Sequence, residues 1–176
     1  MKLIIGAAET YQEGWVSTDK SQLDVTKESD WVKILGDSKA DKILSEHVWE
    51  HLTIEDSRAA NRNVFNFLKP GGHFRIAVPD GLHPDTSYID YVKPGGYGAG
   101  AMDHKILYTH VNLSDELSKC GFEIKKLEYW DEMGNFHYSP WEVGDGKIER
   151  SKRFDDRNSG GSLKYTSLII DAIKPF

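Results

Sequence analysis

The chain is expected to adopt an α/β fold built on a doubly wound, mainly parallel sheet whose last strand runs antiparallel. Three observations point there. Short apolar segments of strand length alternate with helix-length segments along most of the chain, the pattern of successive crossover units. Residues 40–80 read as strand, acidic and histidine-rich turn, helix, Pro-Gly-Gly break and strand, one complete crossover. Two alternating segments close the chain, residues 122–130 and 164–174, and supply the terminal antiparallel pair.

Taken in order, residues 2–6 form a continuous apolar run ending in glycine, as a strand buried on both faces requires. Residues 15–19 give a second strand, and only residues 7–14 separate the two. A crossover carrying a full helix needs at least roughly 10 to 12 residues, so the first helix is missing or reduced to a turn and its layer is thin. Residues 23–26 read as a third, very short strand, and residues 28–35 as a short helix with Trp31, Ile34 and Leu35 on one face. After a strand at 41–45, Thr53 opens a helix by its T-x-x-D pattern, with Ile54, Asn61, Val64, Phe65 and Leu68 at helical spacing and Pro70-Gly71-Gly72 as the stop. Residues 73–78 are a central strand. Residues 81–103 are rich in Gly, Pro and Tyr without a sustained period, a long loop at the strand end where open α/β sheets place ligands. A helix over 113–119 capped by Ser114 follows, and an excursion over 131–161 is expected to hold a hairpin turning at Gly144 to Gly146.

At 176 residues the chain fits a single domain, 1–176, able to bury one core without staples. A net charge of −6 supplies no electrostatic footprint for nucleic acid or anionic membrane, so neither is an expected partner. The lone Cys120 forms no intrachain disulfide or thiolate cluster, and a reducing cytoplasm is the expected compartment. The apolar run at the N-terminus is too short for a signal-peptide core or a membrane span.

The segments EHVWEHL, LKPGG and RIAVPDG, followed by a DHK-x-LY segment, CGF and a closing YTSLIIDAIK, occur here in one order. In that order the chain resembles, over nearly its whole length, a small-form group of class I S-adenosylmethionine (SAM) dependent methyltransferases, with their Rossmann-like fold. The resemblance implies SAM as cofactor. Gly6, ending the first strand, would let the backbone approach the methionine end of SAM. Asp19 would accept hydrogen bonds from the ribose hydroxyls. Asp24 and Val25 would sit beside adenine, and Ser45, Glu46 and His47 would line the pocket around the sulfonium and amino-acid group. The chain departs from the family's pattern at IIGAAET, with one glycine in place of a G-x-G loop and no room for the helix whose N-terminus would face the cofactor.

Methyl transfer from a sulfonium is a direct displacement, so the site must chiefly align nucleophile, methyl and leaving sulfur. A base is needed when the acceptor is a hydroxyl. Along the long loop the candidates for catalysis are His104, His83 and Asp80, while Tyr88, Tyr91 and Tyr97 read equally as an aromatic wall for a substrate or as loop anchors over the sheet edge. The acceptor is expected to be a small molecule or glycan-type compound. Two other readings are carried. One is a non-catalytic protein that keeps the methyltransferase fold, from the stripped loop after Gly6. The other is a zinc peptidase, from the H-x-x-E-H pattern of His47, Glu50 and His51, which lacks its helical context and third ligand. No metal ligands are assigned, and Glu50 and His51 are read as satisfying backbone groups at the start of the crossover.

Overall fold

A computed structural model describes residues 1–176. In chain order the elements are β1 (Lys2–Ile5), β2 (Val16–Thr18), α1 (Glu28–Leu35), β3 (Ala40–Glu46), α2 (Ile54–Phe67), β4 (Leu68–Val78), α3 (Thr86–Val92), α4 (His110–Ser118), β5 (Glu123–Trp130), β6 (Phe136–Tyr138) and β7 (Leu168–Ile173). They build one seven-stranded sheet in the order β2-β1-β3-β4-β7-β5-β6. The pairs β2–β1, β1–β3 and β3–β4 are parallel, and β7 lies antiparallel to both β4 and β5. The expected Rossmann-like sheet with its antiparallel closing strand is therefore present. No helix is long and apolar enough to cross a membrane.

Alternation along the strands divides the core in two. Leu3 and Ile5 of β1, Ile43 of β3, Phe74, Ile76 and Val78 of β4 and Leu168 and Ile170 of β7 face a cluster that includes Trp31 and Leu35 of α1, Ala60, Val64 and Phe67 of α2, and Leu113 and Leu117 of α4. Trp31 stacks on Phe67 at 5.6 Å between ring centroids, locking α1 to α2. Ile4, Leu44, Ala77, Leu127 and Ile169 point the other way, onto Ala7, Trp15, Trp141 and Ile148. None of these covering residues lies in a helix. The thin front layer expected from the short 7–14 connection thus carries no α-helix, only irregular chain and single 3-10 turns such as Val143–Asp145.

That cover is held by buried charge. Arg75 of β4 is 1 % exposed and makes a bidentate pair with its cross-strand partner Asp171 of β7, Nε to Oδ1 at 2.7 Å and Nη2 to Oδ2 at 2.8 Å. Its Nη1 donates to the carbonyls of Glu142 and Gly146, and the guanidinium lies 4.7 Å from the Trp141 ring centre. The hairpin expected at Gly144 to Gly146 does not form: Val143–Asp145 make a 3-10 turn, the Gly144 carbonyl accepts from Lys42 Nζ at 3.0 Å, and the Gly146 carbonyl is taken by Arg75. Glu128 of β5, fully buried, accepts from Trp141 Nε1 at 2.9 Å, from the Lys152 amide at 2.8 Å and from the Thr166 hydroxyl. The hairpin that does form joins β5 to β6, with the Asp131 carboxylate receiving the amides of Met133 and Asn135 in the turn.

Three other expectations change. Residues 23–26 carry no strand: Leu23 and Val25 are buried, but the Val25 carbonyl accepts from Trp31 Nε1 and Asn63 Nδ2, so side chains replace a neighbouring strand. The stretch 81–103 is not irregular throughout, since Asp85 caps α3 by accepting the Ser87 amide; a helix this short shows no clear period. Finally, α4 starts at His110 under a capping box of Thr109 and Asn112, and Ser114 lies inside it.

Asp80, just beyond β4, ties the sheet edge together. Its buried carboxyl accepts the amides of Leu82 at 3.0 Å and of Trp130 at 2.8 Å. Burial pushes this group up to about 6, against the smaller opposing effect of the two amides.

Two outcomes follow for stability. Arg75→Leu strands the Asp171 carboxylate in the core and should cost about 3–5 kcal/mol in denaturant unfolding. Adding Asp171→Leu should recover only part of that, because the Glu142 and Gly146 carbonyls stay unpaired. Full recovery would show that Arg75 does not hold the cover. Asp80 binds its proton more tightly folded than unfolded, so its contribution is fully present below pH 4 and is lost as pH rises through about 6. The stability of Asp80→Asn relative to the parent should therefore climb between pH 4 and 7, by up to about 3 kcal/mol. A pH-independent difference would place the carboxyl in a solvated setting.

Candidate active site

The chain leaves β1, runs to β2 on one side and returns to β3 on the other, so the carboxyl ends of β1 and β3 diverge at a switch point. A cavity of about 500 Å³ opens there, lined by Ile5 and Gly6 after β1, Asp24 and Val25 before α1, His47 and Val48 after β3, and His51. Gly6 has φ +62°, and a Cβ on it would stand 2.4 Å from a Val48 methyl. Only glycine fits that junction without movement. His47 also has φ +56°, an uncommon conformation for a side chain-bearing residue. Its amide donates to the Ala77 carbonyl, and its Nε2 lies 2.9 Å from the Ser167 hydroxyl, which fixes the ring against β7's approach.

A second cavity, of about 330 Å³, shares His47 and His51 with the first and extends toward Glu50, Tyr91, His104, Arg150, Arg157 and Tyr165. His104 is buried, with Nδ1 2.6 Å from the Val92 carbonyl at the end of α3. A carbonyl only accepts, so Nδ1 carries the proton and Nε2 keeps its lone pair. His51 places Nδ1 3.3 Å from the Asp103 carboxylate, and its ring meets that of His104 edge-on at 4.7 Å. Glu50 is 1 % exposed, and neither carboxyl oxygen has a hydrogen-bond partner. Burial disfavours its charge, but the His47 imidazole, with Nδ1 3.2 Å from Oε1 and no hydrogen-bond alignment, outweighs that and holds the carboxyl below its ordinary value.

Of the residues singled out in the sequence, Gly6, Asp24, Val25 and His47 meet at the first cavity, and His104 lines the second. The others lie elsewhere. Asp19 is exposed and its Oδ1 accepts the Ala8 amide at 2.9 Å, holding the loop after β1 and staying out of the cavity lining. Ser45 is buried within β3 with its hydroxyl unpaired. Glu46 faces the irregular cover, where it accepts the amides of Glu149 and Arg150 at 3.0 and 2.7 Å. His83 stacks on Tyr88 at 4.1 Å, meets Trp130 at 5.1 Å, and accepts the Asp85 amide on Nδ1; burial pushes its imidazole down. With Asp80 occupied by two amides, neither His83 nor Asp80 lines either cavity. Tyr91 alone of the expected aromatic wall is in the lining, while Tyr88 packs beneath it on Tyr165.

Sequence reasoning set aside Glu50, His51, Arg150 and Arg157, which the structure brings to the cavities. The two histidines of the H-x-x-E-H pattern do not lie on successive turns of one helix: residues Trp49–His51 form a single 3-10 turn after the left-handed His47. The signal for Glu50 and His51 was that pattern read together with His104. For the arginines there was none: Arg150 approaches because Glu46 receives the backbone at 149 and 150, and Arg157 because it pairs with Asp155 and lies over the Tyr165 ring.

No family model matches the chain, and no curated protein matches it. Solved structures do. The chain is similar to a SAM-dependent methyltransferase from Archaeoglobus fulgidus, with TM-score 0.54 and 17 % identity over 98 % of this chain and 85 % of that one. A SAM-dependent methyltransferase from Thermotoga maritima gives TM-score 0.54 and 13 % identity over 98 % of this chain and 81 % of that one. The CurJ carbon methyltransferase gives TM-score 0.57 and 15 % identity, with 99 % of this chain spanning 48 % of that one. The chain has the fold of the class I SAM-dependent methyltransferases.

Proposed function

We propose that the protein is a SAM-dependent methyltransferase acting on a small polar acceptor. The observation that carries this reading is the pair of cavities joined at His47 and His51: one at the switch point, sized for a cofactor, the other beside it, sized for a small molecule. A methyl displacement needs this arrangement, with donor and acceptor meeting in line across a shared boundary.

The lining of the first cavity fits SAM. Gly6 brings backbone to its floor, Val25 offers an apolar contact for adenine, and Asp24, whose Oδ1 is held by Thr26 and whose Oδ2 pairs with Lys27 at 3.1 Å, keeps lone pairs to accept a ribose hydroxyl. SAM carries net positive charge, and Asp24, Asp56 and Asp103 outnumber Lys20, the one Lys or Arg of that lining. When bound, SAM supplies an activated methyl on sulfur. The chain's own residues orient it and keep water out. In the acceptor cavity His104, held by the Val92 carbonyl, offers a lone pair on Nε2 to an acceptor hydroxyl, and Arg150 favours an acceptor with an acidic group, Arg157 being paired with Asp155. The acidic net charge of the chain disfavours nucleic acid as acceptor. Single-domain organisation over 1–176 and a cytoplasmic setting belong to the same proposal.

A second reading has one observation behind it. Residues 7–14 form no helix, so the cofactor carboxylate meets no helix N-terminus, and a protein that keeps the fold without catalysis would look the same there.

Calorimetric titration with SAM and with S-adenosylhomocysteine separates the two. The methyltransferase reading expects saturable heat for both, and no heat at millimolar ligand would leave the non-catalytic reading standing. Asp24→Ala should weaken both ligands by roughly two- to tenfold per hydrogen bond lost, and more than Asp19→Ala, whose carboxylate serves Ala8. His104→Ala should spare SAM affinity while slowing turnover of a hydroxyl acceptor. Equal affinities for the parent and Asp24→Ala would move the adenosine elsewhere.

A further inference from the structure

Glu50 is the unexplained group of the acceptor cavity. Its buried carboxylate has His47 Nδ1 3.2 Å from Oε1 but no hydrogen bond to either oxygen, and such a group is rare unless an ion or a bound group completes it. The ligand atoms of Glu50, His51 and His104 all lie within 4.8 Å of one another. Both histidines are arranged as metal ligands are. Each commits Nδ1 to an outer oxygen, His51 to the Asp103 carboxylate and His104 to the Val92 carbonyl, which leaves Nε2 free and orients the ring. The three residues are also tied together through the backbone. The carbonyl of Glu50 accepts the amide of Lys105 at 2.6 Å and of Ile106 at 3.3 Å, so the His104 segment cannot drift from the Trp49–His51 turn.

We propose that Glu50, His51 and His104 bind a divalent first-row transition metal ion, one carboxylate oxygen and two Nε2 atoms occupying one side of its coordination sphere and the acceptor cavity the other. Bonds of about 2.1 Å place tetrahedral ligand atoms about 3.4 Å apart, so the set needs to contract by about 1.4 Å from its outermost spacing of 4.8 Å, a side-chain adjustment. Two imidazoles with one carboxylate suit zinc, manganese, iron or cobalt, whereas magnesium and calcium prefer oxygen throughout. The set differs from the H-x-x-E-H reading: His47 is held on Ser167, Glu50 is a ligand rather than a base, and the third ligand comes from 53 residues downstream of Glu50–His51, at His104. This inference rests on the cavity rather than on SAM. With the ion bound, Nε2 of His104 would be a ligand and not a base; the ion's charge would lower the pKa of a coordinated acceptor hydroxyl, whose proton would leave to solvent.

The test uses the full chain stripped with a chelator and dialysed, titrated with cobalt(II) by visible absorption and with zinc(II) by calorimetry, without SAM. One ion per chain is expected, with cobalt bands of low-coordinate intensity. Glu50→Gln, His51→Ala and His104→Ala should each weaken binding at least about tenfold, with circular dichroism showing that each variant is folded. His51 is only partly buried, so its variant keeps the test open if Glu50→Gln unfolds. His137→Ala, which removes the other His–Asp pair at Asp131, should leave binding unchanged. No binding at millimolar ion, retention of affinity in both His51→Ala and His104→Ala, or loss of binding in His137→Ala would overturn the site. None of these outcomes depends on whether SAM binds.

Discussion

The guanidinium of Arg75 is the point from which the second face of this sheet is built. It sits in the middle of β4, paired through two hydrogen bonds to Asp171 on β7, and spends its remaining donor on two carbonyls of the chain that crosses above. A sheet with strands this apolar needs both faces covered. Three helices cover one. On the other, where the short 7–14 connection leaves no helix, a charged residue inside the sheet captures irregular chain and fixes Trp141 over Ile169 and Ala77. Glu128 repeats the device from β5, and Glu46 from the end of β3.

This arrangement links the cover to the site. Glu46 receives the backbone at 149 and 150, which places Arg150 on the rim of the cavity that also holds His104. The same strand end continues into His47, whose left-handed backbone turns the chain abruptly so that Glu50 and His51 face inward. The stretch from Ser45 to His51 thus performs three tasks: closing the core through Trp49, anchoring the cover through Glu46 and presenting polar groups to both cavities. Strain at His47 is confined to the position where the two cavities meet.

Much of this was legible in the residues. The strands and the helices at 28–35 and 54–67 follow from apolar periodicity and capping, and the missing first helix from simple length. What the sequence concealed depends on long-range partners. Residues 23–26 read as a strand because Leu23 and Val25 are apolar, yet their burial comes from packing under Trp31 and Asn63. The turn at 144–146 has hairpin residues, but Lys42 takes the Gly144 carbonyl and Arg75, some 70 positions earlier, the Gly146 carbonyl. Around the two cavities, the family resemblance pointed to Gly6, Asp24, Val25 and His47, and the long loop to His104. Asp19 and Asp80 also end strands, but one oxygen of Asp19 accepts the Ala8 amide and both oxygens of Asp80 accept amides, which no pattern of residues reveals.

The central claim is that the cofactor lies where β1 and β3 part. A crystal structure of the protein grown with saturating S-adenosylhomocysteine tests it most directly. The account predicts the adenosine against Asp24 and Val25, the amino-acid end over Gly6, and the sulfur turned toward the wall formed by His47 and His51. Ligand bound away from this cavity, or a cavity still filled by solvent at saturating ligand, would contradict it.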